Sequence, residues 1–146
     1  MTQLTEHFSV EEMTFSQVAA RRDIDNTPGP VELSNLHRMA LTMEQVRTLV
    51  GKSIHVDSGY RSRLLNASVG GVSSSAHCKG LACDFVCPDF GTPYEVAEAI
   101  ARVGIEFDQL ILEYGWVHLG LSEGEPRHQT LTKRSSYSPY EIGINK

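Results

Sequence analysis

One long apolar stripe does most to limit what this chain can become. Leu36, Met39, Ala40, Met43, Val46 and Val50 recur at helical spacing, and Gly51 stands where such a helix would stop. The spacing predicts a main core helix over Val31–Val50, entered from the turn Thr27-Pro28-Gly29-Pro30. A helix with one apolar face must bury that face against a second layer. Short strand patterns supply that layer. Ser53 to Asp57 alternates, with Ile54 and Val56 on one face; Leu81 to Val86 reads as a strand; Phe107 to Tyr114 and Trp116 to Leu121 read as two strands joined at Gly115. Ser9-Val10-Glu11-Glu12 and Thr92-Pro93-Tyr94-Glu95 have the capping-box pattern, and the second opens a helix that runs through Val96, Ile100 and Val103 to Gly104. A short polar helix or loop surrounds Leu64 to Ala67, and Val69 to Ser75 is a Gly- and Ser-rich loop. From Ser122 onward the chain is polar and is expected to be a loosely held tail, residues 122–146. The sum is a single α+β domain over residues 1–146, with helices packed on one face of a small, largely antiparallel sheet.

The chain has 146 residues, enough for one buried core. Its net charge of -5 makes a phosphate-tracking nucleic-acid surface a poor expectation. No apolar run approaches the roughly 20 residues that span a bilayer, so no membrane insertion is expected. Met1 to Ser9 lacks a basic-then-apolar signal pattern, and synthesis in the cytoplasm is the expectation. Three cysteines, Cys78, Cys83 and Cys87, are odd in number and tightly clustered, which does not read as a disulfide framework. They lack the close CxxC pair of a cysteine-rich zinc site and read as small buried thiols.

The chemistry concentrates in Ser75-Ala76-His77-Cys78-Lys79-Gly80-Leu81-Ala82-Cys83-Asp84-Phe85. Asp84 shares a strand face with Ala82 and Val86, and an ionised carboxylate there is costly to bury unless a cation or donor meets it. Zinc would meet it, since imidazole nitrogen and carboxylate oxygen both suit Zn²⁺ and three protein ligands leave a fourth position for water. A third ligand must come from elsewhere, and Trp116-Val117-His118-Leu119-Gly120 supplies one. Trp116, His118 and Gly120 face one way while Val117, Leu119 and Leu121 face the core, and Gly120, lacking a side chain, leaves His118 room to reach a metal. A lone strand histidine is more often packed or surface-exposed than a ligand, so the reading rests on the whole constellation. Glu113 stands just upstream. On a straight strand its five-residue separation from His118 would place the two on opposite faces, unless Gly115 breaks the register by a turn or bulge. His7, His37, His55 and His128 have no constellation around them.

Ser75-x-His77-x-x-Gly80-x-Ala82-x-Asp84, followed by Glu113-x-x-Trp116-x-His118, resembles the paired signature of the M15 zinc peptidases. Those enzymes include D-Ala-D-Ala carboxypeptidases, D-Ala-D-Ala dipeptidases and phage L-alanyl-D-glutamate endopeptidases. His7-Phe8-Ser9, Asp25-Asn26-Thr27-Pro28, Ser58-Gly59-Tyr60-Arg61-Ser62 and Asn66-Ala67 before Val69-Gly70-Gly71 are similar to the phage-associated branch, so the resemblance spans roughly Leu4 to Leu121. It implies a hedgehog/D-Ala-D-Ala peptidase-like fold and one Zn²⁺ held by His77, Asp84 and His118. It implies Glu113 as the general base and Arg61 as the residue that binds a substrate carboxylate or polarises the scissile carbonyl. Ser75 would support the site by hydrogen bonding, and Trp116 would wall the pocket.

The expected activity is zinc-dependent hydrolysis of an amide bond in peptidoglycan peptides by a monomeric phage or prophage wall hydrolase that acts after release. Two other classes compete. One is a zinc-containing wall-binding or virion module with little turnover, against which Glu113 argues because a binder has no use for a base. The other is a cytoplasmic D-Ala-D-Ala-type dipeptidase or carboxypeptidase.

Overall fold

The computed structural model describes residues 2–146; Met1, the first residue of the expected domain, lies outside the described residues. The stripe residues form one helix, α3 (Pro30–Val50), with Pro30 in its first turn and Gly51 at its end. Leu36, Met39, Ala40, Met43 and Val46 are fully buried along it. Each large apolar side chain buried in this way stabilises by about 1.5–3 kcal/mol. Two short helices precede it. α1 (Val10–Thr14) is capped by Ser9, whose side chain accepts the Glu12 N–H, and α2 (Gln17–Arg22) is capped by Ser16 in the same way. α4 (Arg63–Ser68) follows the first strand, and α5 (Pro93–Arg102) carries the reciprocal capping box between Thr92 and Glu95.

Among the described residues, six strands form one sheet: β1 (His55–Ser58), β2 (Ala82–Val86), β3 (Gln109–Leu112), β4 (Val117–Gly120), β5 (Gln129–Lys133) and β6 (Tyr140–Ile142), in the order β1-β2-β4-β3-β5-β6. All neighbours are antiparallel except β3 and β5. The architecture is the expected α+β one, with helices covering one face. Alternation assigns the faces. Cys83 and Phe85 on β2, Leu110 and Leu112 on β3, and Val117 and Leu119 on β4 join the core with α3 and α5. Asp84, Ile111 and His118 therefore project from the opposite, open face.

The expectation of a loosely held tail is corrected. Residues 122–146 carry β5 and β6, which extend the sheet beside β3. Leu131 and Thr132 are buried, and the Asp108 carboxylate accepts from the Arg127 backbone N–H, Nε and Nη2 at 2.7–3.0 Å. Backbone pairing and this charged anchor hold a segment whose composition has little apolar content.

Candidate metal centre and catalytic cleft

Two elements bring three chain-distant groups together. β2 and β4 are neighbours in the middle of the sheet, in a register that sets Asp84 directly opposite His118. His118 Nδ1 lies 2.8 Å from Asp84 Oδ1. His77 sits in a one-turn 3-10 helix, Ala76–Lys79, that leads into β2. Ser75 caps that turn: its Oγ accepts the His77 backbone N–H at 3.2 Å. The turn places His77 Nε2 3.2 Å from Asp84 Oδ2. One donor atom from each of His77, Asp84 and His118 lies within 4.8 Å of the others. The two imidazoles meet edge to face at 5.3 Å between centroids. A Cβ at Gly120 would have His118 Nε2 as its nearest neighbour, at 3.4 Å, so the missing side chain leaves the space beside the imidazole open.

The donor set fits a zinc ion. His77 Nδ1 lies 2.7 Å from the Gly59 carbonyl, an acceptor only, so Nδ1 carries the proton and Nε2 keeps its lone pair for a cation. His77 is buried, and the side chains of Asp84 and His118 are each only 15% exposed. Burial alone would push the Asp84 carboxyl up, but His77 and His118 outweigh it with charge and hydrogen bonds, and its pKa is held far below the usual carboxylate range. Asp84 thus stays ionised beside two imidazole nitrogens, and all three residues line the cleft. That is the composition of a catalytic zinc site with three protein ligands.

Glu113 reaches the same face by a route that a straight strand does not offer. β3 and β4 form a hairpin in which Ile111 pairs with His118 and Leu112 with Val117. The next pair is Glu113 with Trp116, closed by the Glu113 N–H to the Trp116 carbonyl at 3.0 Å. Paired residues share a face, so Glu113, Ile111, Trp116 and His118 all project toward the site. The five-residue separation that opposes two residues on one strand aligns them across a two-residue turn. Gly115 makes that turn with φ +151°, a backbone region L side chains rarely adopt. Burial raises the Glu113 pKa and the nearby Asp84 charge adds to it, while His118 and Lys133 pull the other way. A carboxyl shifted upward in this way is a stronger base than an ordinary glutamate and better matched to taking and returning a proton.

Arg61 follows β1, and its backbone N–H donates to the His77 carbonyl at 3.1 Å, which ties the two segments together. Its Nε is buried without a hydrogen-bond partner among the described residues. Burial lowers its pKa, opposed by the Asp84 charge. Sequence reading gave no individual role to Asn26, which clamps this segment. Asn26 Nδ2 donates to the Thr14 and Tyr60 carbonyls at 2.8 and 3.1 Å, and its Oδ1 accepts the Ser62 N–H at 2.7 Å. The backbone on both sides of Arg61 is thereby fixed. An asparagine ahead of a Pro-Gly-Pro turn was the available signal, but two of its three partners lie 34 and 36 residues away.

Arg61, His77, Asp84, Glu113, Trp116 and His118 line one cleft of about 810 Å³, with Ser75 on its wall. Trp116 packs edge to face on Tyr114 at 4.6 Å. The three cysteines are free and take no part in the cluster; Cys83 and Cys87 are buried, Cys78 is half-buried. His7 instead binds Glu44 at 2.7 Å, and His128 meets Phe107 edge to face at 5.7 Å.

A protein-family model described as Peptidase M15 matches residues 6–120, which include all six of these cleft residues. No curated protein matches the chain. Over most of its length, and with a His–Asp–His cluster able to hold a metal ion, the chain belongs to the peptidase M15 family and is a metallopeptidase.

Proposed function

We propose that this protein hydrolyses an amide bond in the peptide part of bacterial peptidoglycan, with one zinc ion held by His77, Asp84 and His118. The observation that carries the reading is the joint projection of Arg61, the cluster and Glu113 into one open cleft. When bound, zinc supplies a Lewis acid and lowers the pKa of a coordinated water from about 16 towards roughly 7. Glu113, held across the hairpin from Trp116, takes a proton from the attacking water and returns it to the leaving amine. Arg61 lines the cleft and forms no salt bridge among the described residues, so its guanidinium can serve a substrate carboxylate or the oxyanion that develops on the scissile carbonyl. Trp116 and Tyr114 wall the cleft.

A wall substrate and a phage or prophage setting are supported by the segments similar to the phage-associated branch, among them Ser58-Gly59-Tyr60-Arg61-Ser62. In this reading the protein acts on the wall after release from the cell that makes it. The test is incubation of zinc-loaded protein with purified muropeptides of several wall chemotypes, and with free D-Ala-D-Ala, followed by mass spectrometry. New peptide termini in muropeptides support the proposal. Cleavage of the free dipeptide alone, or of nothing, overturns it.

A further inference from the structure

Among the described residues, four Lys and Arg side chains line the catalytic cleft: Arg61, Lys79, Arg127 and Lys133. Two are neutralised by carboxylates of the same cleft. Lys79 Nζ meets Glu123 at 2.8 Å, and Arg127 Nη2 meets Asp108 at 2.7 Å. Arg61 and Lys133 have no carboxylate within salt-bridge distance among the described residues. Arg61 belongs to the machinery already assigned. Lys133 does not: it lies on β5, outside the residues matched by the family model.

Its placement is specific. β3 and β5 run parallel with Ile111 beside Leu131 and Leu112 beside Thr132, so the next pair in that register sets Glu113 beside Lys133. Backbones of neighbouring strands are about 4.8 Å apart, and paired residues share a face. Lys133 therefore stands on the open face, one strand beyond the proposed general base. Its ammonium is held in place. Nζ donates to the Ser138 carbonyl at 2.7 Å and lies 4.4 Å from the centre of the Tyr140 ring, on the strand that pairs with β5. One donor is used and the ring face supports the charge, which leaves N–H groups for a ligand. Arg61 stands at the other end of the row, after β1, with β2, β4 and β3 between the two cations.

We infer that Lys133 is a specificity-determining residue that binds a carboxylate of the peptide substrate on the Glu113 side of the scissile amide. The cleft then selects peptides with an acidic group on that side, opposite the one served by Arg61. This subsite rests on the peptidase reading above, and its ligand class is an anionic peptide. The Tyr140 ring and the Ser138 carbonyl restrict where the ammonium can sit, so a carboxamide at the same place forfeits the charge-assisted bond.

The test uses zinc-loaded protein and matched peptide pairs that differ only in a free carboxylate or a carboxamide beside the cleaved bond. Wild type is expected to favour the acidic member in kcat/KM by about tenfold, the size of one charge-assisted hydrogen bond. Lys133→Ala should bring the ratio of acidic to amidated substrate close to unity, mainly through KM, and Lys133→Arg should restore most of it. Lys133→Glu should invert the preference, a result that a purely structural role would not give. Cleavage of both members with no preference, or a preference unchanged in Lys133→Ala, overturns the subsite while leaving the peptidase reading intact. Failure to cleave any wall peptide overturns both.

Discussion

The Nδ1 proton of His77 points at the carbonyl of Gly59, 2.7 Å away, and this bond selects the ring nitrogen that faces Asp84. Gly59 can offer that carbonyl because it has no side chain: a Cβ there would collide with the Met13 carbonyl oxygen. Gly59→Ala should therefore do two things. Overpacking against α1 should cost about 1–3 kcal/mol of stability. Displacement of the supporting carbonyl should weaken metal affinity about 10–100-fold. Thermal melts and competitive metal titration check the two effects separately.

Glu113 should be separable from metal binding. Glu113→Ala is expected to retain zinc and the fold while losing about 10²–10⁴-fold in kcat. The base must be ionised to accept a proton, and its pKa lies above that of an ordinary glutamate. In the metal-free protein the Glu113 carboxyl should therefore titrate above the ordinary glutamate value of about 4.3, which carboxyl-carbon NMR across a pH series checks. A titration at or below the ordinary value in the metal-free protein, or full activity in zinc-loaded Glu113→Ala, would contradict the assignment.

Asn26 acts at a distance from the cleft. Asn26→Ala removes three hydrogen bonds to the backbone around Thr14, Tyr60 and Ser62. A stability loss of about 1–3 kcal/mol is expected from the unpaired groups. Turnover should fall with it, in the same direction as in Arg61→Ala, because the Arg61 segment loses its clamp. Adding Asn26→Ala to Arg61→Ala should lower turnover little further, which a double-mutant cycle measures.

The carboxylate of Asp108 should govern how firmly β5 is held. Hydrogen bonds from Arg127 lead the causes that lower its pKa. A group with a depressed folded pKa stabilises above its unfolded value, and that stability is lost as pH falls through the folded pKa. Protection of the Gln129–Lys133 amides, relative to their intrinsic exchange rates at each pH, should therefore fall below about pH 4, the ordinary aspartate range. Asp108→Asn should show the faster exchange already at neutral pH, and should leave exchange in β2 and β4 largely unchanged.

Legibility in the sequence followed the range of the interactions. The α3 stripe, the capping box at Thr92 and the alternation of β2 and β4 are local patterns, and the structure has these elements close to where the patterns place them. His77, Asp84 and His118 were readable because a glycine turn and two short strands constrain each of them locally, and the cluster forms. Glu113 was harder. Its face depends on where the hairpin turns, and parity along a single strand points the wrong way. α2 carries one buried side chain, Ala19, and no apolar stripe; its only local mark is Ser16 as cap. β5 was missed because its partner β3 pairs in parallel across an intervening strand and loop, and Leu131 is its only large apolar residue. Non-local pairing leaves no periodic trace in so short a segment.

The account stands on three side chains sharing one ion. Its most direct measurement is the zinc retained per chain after dialysis, by plasma mass spectrometry, for wild type, His77→Ala, Asp84→Ala and His118→Ala, each shown to be folded by circular dichroism. The predicted result is one zinc per wild-type chain and little or none in each variant. Wild-type protein that holds no zinc, or folded variants that hold as much as wild type, would contradict it.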